Sequence, residues 1–136
     1  MNTTYFKNVV MGNIFSTDES ISIPEKYYIG LSSSAPHVDG TNVTEPSMDG
    51  TAYARVELTS LSEPANGVIT NEQAINFNES ATDWFVAGNP ATHYVIYDAP
   101  TDGNLLMYNA LKTERVIESN TIASIKESSL YIQLAD

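Results

Sequence analysis

The chain has 136 residues, 42% of them apolar, which is enough for one hydrophobic core, and it contains no run of eighteen apolar residues that would cross a membrane as a helix. Its 17 acidic residues against 6 basic ones give a formal charge of −11, a field that repels phosphate backbones and sets nucleic-acid binding aside. Cysteine is missing, which excludes disulfides, thiolate catalysis and cysteine-bound zinc.

The first segment carries a single lysine and no continuous apolar stretch, so no secretory leader is expected. Phe6, Val9, Val10 and Ile14 fall at roughly helical spacing and predict a short helix. Asn2, Thr3 or Thr4 would cap its start, and Gly12 and Asn13 would favour its end. Beyond Pro24 the period changes to two. Tyr27, Ile29 and Leu31 alternate with Tyr28 and Gly30, as in a strand, and Gly30 allows a bulge or a close backbone approach. Residues 32–51 are polar and broken by Pro36, Gly40, Pro46 and Gly50, which reads as a long loop suited to partner contact.

Strand character returns over residues 53–61, with Ala54, Val56 and Leu58 on one face and Arg55, Glu57 and Thr59 on the other. Pro64, Asn66 and Gly67 supply a turn, and Ile75 with Phe77 makes a short strand. Residues 93–97 form the next strand, closed by a turn over residues 98–104 in which Gly103 would take positive φ. Residues 105–111 are apolar on both faces, which predicts a buried central strand. The last strands are expected near residues 115–117, 121–125 and 130–134.

Seven or eight short strands with frequent turns and at most one helix predict an all-β fold, an antiparallel β-sandwich of jelly-roll-like or barrel-like form. With no internal repeat and no linker, residues 1–136 are expected to be one domain: an N-terminal helix or arm at 1–20 and the sandwich at 26–136.

No catalytic constellation is visible. There is no nucleophile elbow, no phosphate-cradling glycine loop and no His-Glu-x-x-His pair. His37 lies in the polar loop, and His93 reads as a core or interface histidine donating to a backbone carbonyl, the alternative being a general base or metal ligand. A glycosidase needs two carboxyl groups about 5 to 9 Å apart, and Glu57 or Asp83 beside Trp84 suggests one only weakly. Asp98, Asp102 and Asn104 are candidate oxygen donors for calcium, but their spacing is not that of a calcium loop, and an ordinary hydrogen-bonded turn is the alternative. No enzyme activity and no cofactor are expected. Arg55 is the charge of most interest: within a strand, it either faces solvent or pairs bidentately with Glu57, Glu45 or Asp98 and pins a loop to the sheet. Tyr53 and Trp84 are large enough to anchor two sheets against each other.

One succession of motifs covers about residues 5 to 134. Tyr27-Tyr28-Ile29-Gly30-Leu31 leads to Ala35-Pro36 and Asp39-Gly40, then to Tyr53-Ala54-Arg55. Ile75-Asn76-Phe77, Ala81-Thr82-Asp83-Trp84, Thr92-His93-Tyr94-Val95-Ile96-Tyr97-Asp98-Ala99 and Gly103-Asn104-Leu105-Leu106 follow in order. The series resembles small phage and prophage proteins of the tail-fibre-like kind. It departs where Phe85 stands in place of a glycine soon after the tryptophan, with Gly88 three further on, and where Asp102 replaces the second glycine of the last turn. The resemblance implies a virion structural protein, made in the bacterial host cytoplasm and acting through contacts with other virion proteins. It also implies a homo-oligomer, a trimer being one form, in which Phe6, Val9, Val10 and Phe15 dock on a neighbouring subunit or on their own sheet. Host-surface glycan binding and capsid decoration are the alternatives.

Overall fold

A computed structural model describes residues 1–15, 22–86 and 88–134. Most of the regular structure is antiparallel strand, preceded by one helix. The helix, α1 (Thr4–Phe15), starts where Thr3 accepts the Phe6 N–H at its Oγ1, 3.2 Å, an N-cap of the expected type. The same hydroxyl donates to the carbonyl of Leu105, 2.7 Å away, so the cap also ties the helix to the body. Gly12 and Asn13 do not end the helix; Asn13 Nδ2 donates back to the Val9 carbonyl at 2.8 Å within it. The end of the expected arm, residues 16–20, lies outside the described residues.

Among the described residues eight strands follow: β1 (Tyr28–Ser32), β2 (Val56–Glu57), β3 (Val68–Thr70), β4 (Ile75–Asn76), β5 (Ala91–Tyr97), β6 (Leu105–Arg115), β7 (Ser124–Ile125) and β8 (Tyr131–Gln133). They form a four-stranded sheet in the order β2-β1-β5-β6 and two ribbons, β3-β8 and β4-β7. Ile29, Leu31, Tyr94, Ile96 and Leu106 of the large sheet form one core with Tyr53, Phe77, Trp84, Ile117 and Leu130, and the ribbon residues Ile75, Ile125 and Ile132 pack against it. The layered arrangement is that of a sandwich; among the described residues no barrel closes. A smaller cluster of Val95, Tyr97, Leu105 and Tyr108 is covered by Val43 from the long loop.

Three expectations are corrected. The strand predicted over 53–61 shrinks to Val56–Glu57, because Tyr53 leaves the ladder to enter the core. The piece expected at 115–117 does not stand alone; Arg115 is the last residue of β6. β6 itself is an outer strand, not a central one. Its apolar start is buried because a strand-like segment covers its outer edge: Asn2 bridges to Met107, Thr3 N–H donates to the Leu106 carbonyl, and the Met1 ammonium donates to the Tyr108 carbonyl at 2.6 Å. A second neighbour too short to show periodicity thus satisfies what the sequence assigned to a central position.

Candidate interaction surface

Arg55 leaves the chain just before β2 and turns inward; only 4% of its side chain is exposed. Its Nε and Nη2 donate to the two carboxylate oxygens of Glu45 at 3.0 and 2.7 Å, the bidentate geometry that guanidinium and carboxylate share. Nη1 donates to the carbonyls of Ala99 and Asp102, both at 2.8 Å, and the guanidinium carbon lies 3.6 Å from the centre of the Tyr97 ring. Burial alone would lower the arginine pKa, but the Glu45 hydrogen bond and charge outweigh it and the pKa is raised. Glu45 Oε2 also accepts from Tyr53 Oη at 2.5 Å, and that hydroxyl accepts the Leu31 N–H at 3.0 Å. Burial first, then the Glu45 carboxylate, pushes the Tyr53 phenol far upward and keeps it neutral. Of the three carboxylates expected as partners, Glu45 is the one used. Glu57 pairs instead with Lys26 at 3.3 Å, and Asp98 turns to its own loop.

Gly30 is what lets this cluster close. A Cβ there would collide with Tyr53 Oη and come within 2.7 Å of Glu45 Oε2, so the glycine serves close approach and not a bulge. Tyr53, Phe77 and Trp84 form an aromatic triad behind it. Trp84 meets Tyr53 edge-on at 5.1 Å and Phe77 at 6.2 Å, and its indole N–H donates to the Thr51 carbonyl at 2.9 Å. Phe77 was not foreseen as a partner of these rings, although aromatics on either side of a turn are the signal for one.

The calcium candidates form a turn. Both Asp98 oxygens accept from Asn104, Oδ1 from its N–H at 2.7 Å and Oδ2 from its amide at 3.0 Å. Asp102 and Gly103 take φ of 51° and 76°, so the aspartate that stands where the resembling series has a second glycine adopts the left-handed conformation. Because Arg55 already places its cation against two carbonyls of this loop, the loop's polarity is spent internally. Among the described residues no three acidic or imidazole groups gather as for a metal ion. His93 lies half-buried in β5 and pairs its Nδ1 with Thr92 Oγ1 at 2.8 Å, not with a backbone carbonyl. Burial lowers its pKa, against a smaller raising effect from Glu114.

The long loop is less open than its composition suggests. Ser33 N–H donates to the Thr44 carbonyl at 3.0 Å, Thr44 N–H to Ser32 Oγ at 3.0 Å, and Asn42 Nδ2 to the Ala35 carbonyl at 2.8 Å. Helix α1 carries several open apolar side chains, as do scattered positions elsewhere such as Ile23, Val86 and Ile122. Phe6 packs on the core, Val9 is buried and Val10 half-buried, whereas Ile14 and Phe15 are 63% and 76% exposed, with Tyr5 and Met11 also exposed. The expected stripe therefore divides, its start docking on the chain's own sheet and its end facing outward. No helix among the described residues is long and apolar enough to cross a membrane.

Compared with known proteins, residues 2–133 match the family model described as Podophage GP4 fiber I protein gp80. No curated protein matches the chain. The chain belongs to this family of podophage fibre proteins, which makes it a component of the virion in contact with other virion proteins.

Proposed function

With membership of a fibre family as the premise, we propose that the chain is a non-enzymatic tail-fibre or tail-associated subunit of a tailed phage or prophage, folded as one domain over residues 1–136 and working through protein–protein contacts that include self-association. The observation that carries this reading is the contrast in how polar and apolar groups are used. The polar candidates Arg55, Glu45, Asp98 and Asn104 are matched within the chain, while Tyr5, Met11, Ile14 and Phe15 present apolar area to solvent. A surface of that kind is suited to docking on another protein.

The test is to purify particles and label them with antibody–gold against this chain. Label on fibres or tail supports the reading. Label confined to heads would favour decoration, and absence from the particle would refute a structural role. A host-glycan module draws no support from Trp84, which is 3% exposed, so a glycan array would be reporting on exposed rings such as Tyr5 and Tyr131.

A further inference from the structure

The neighbours of β6 cover it unevenly. Its start, Leu105 to Tyr108, is buried and carries residues 1–3 along its outer edge. From Asn109 onward every side chain but half-buried Leu111 is exposed, and among the described residues no other backbone segment pairs along that outer edge. On the β5 side the ladder jumps from Ala110, opposite His93, to Arg115, opposite Ala91. The backbone donors and acceptors that residues 109–115 turn to the outer edge therefore meet no further strand among the described residues. Such an edge is a template for strand addition, and residues 1–3 already use the adjoining part of it in that way.

We propose that this stretch pairs antiparallel with the same stretch of a second copy, about a two-fold axis through Thr113. The charges select both the occupant and the register. In this register Lys112 faces Glu114 of the partner subunit, Glu114 faces Lys112 of the partner subunit, and the two Thr113 hydroxyls meet. A register centred on Lys112 would stack two lysines, and one centred on Glu114 would stack two glutamates. The pairing is isologous and closes as a dimer. It refines the self-association of the fibre reading above.

The test is sedimentation equilibrium on the full chain at fixed ionic strength, comparing the native sequence with Lys112→Glu, Glu114→Lys and the double swap. The native chain is expected to dimerise reversibly. Each single swap turns two attractive cross-strand pairs repulsive and should weaken the dimer by about fivefold or more. The double swap, and an equimolar mixture of the two single swaps, should restore it. A native chain that stays at 14.9 kDa at every concentration, or association indifferent to the swaps, overturns the proposal. If one single swap fails to fold by circular dichroism, the other and the double still decide. Incorporation into particles is scored separately. A chain that enters particles but ignores the swaps refutes the edge and leaves the fibre reading standing, whereas a chain absent from particles refutes the fibre reading whatever its state in solution.

Discussion

The Arg55 cluster and helix α1 treat surface in opposite ways. Around Arg55 a full charge is taken out of water and matched by a carboxylate, two carbonyls and an aromatic face, so nothing there is left to recruit a partner. Along α1 the later apolar side chains remain in water, although only one position of the helix, Val9, is buried. One charge pair thus serves as an internal lock beside an otherwise apolar core, while the end of α1 turns apolar side chains outward.

The sharpest way to break this comparison is Arg55→Ala. It leaves the Glu45 carboxylate, only 15% exposed, beside Tyr53 without a counter-charge, and is expected to cost about 3 kcal/mol of unfolding free energy in urea titration. Replacing both partners by apolar residues of similar volume, Arg55→Met with Glu45→Leu, should recover most of that loss. A single-mutant cost under about 1 kcal/mol would mean the cluster is not a lock.

Of intermediate size is the alkaline limb. Burial raises the phenol pKa of Tyr53, Tyr94 and Tyr97 above the ordinary value near 10. Folded protein therefore keeps protons that unfolded chain sheds. Stability is unaffected by these groups below about pH 10 and falls as pH rises beyond it. Absorbance at 295 nm should show fewer than the eight tyrosines ionising in folded protein at about pH 11, and the full number after unfolding. All eight titrating together in the folded state would show that the cluster is open to solvent.

The smallest expected effect on stability is at the other pole. Ile14→Ser and Phe15→Ser should each change unfolding free energy by no more than about 0.5 kcal/mol while reducing the amount of chain recovered in particles. A stability loss above about 2 kcal/mol would place these residues in a core and remove the contrast.

Much of the fold is legible because the large sheet is built from runs that speak for themselves. Ile29 and Leu31, Tyr94 and Ile96, and Leu105 to Tyr108 are dense in branched and aromatic residues and became β1, β5 and the start of β6. The ribbons are harder. Val68–Thr70 and Ser124–Ile125 are too short for alternation to appear, and β3 is missed altogether in a reading that passes from the turn at Gly67 to Ile75. Residues 53–61 mislead because their alternation is real while their ladder is not: Tyr53 is claimed by Phe77 and Trp84, and Arg55 by Glu45. A sequence can announce that a buried arginine needs a carboxylate, but three lie within reach, and only the path of the 32–51 loop selects Glu45. For β6, pattern reports burial and not which neighbour provides it.

That neighbour sets a timetable. Met1 and Tyr108 are 107 positions apart, so on the ribosome residues 1–3 wait for a partner that arrives, at about 5 to 20 residues per second, roughly 5 to 20 seconds later. Until then the Thr3 hydroxyl lacks the carbonyls of Leu105 and Leu106, and Phe6 and Val9 have no sheet beneath them. Residues 1–6 are thus made well before the strand that secures them, and over that interval their apolar side chains stay uncovered.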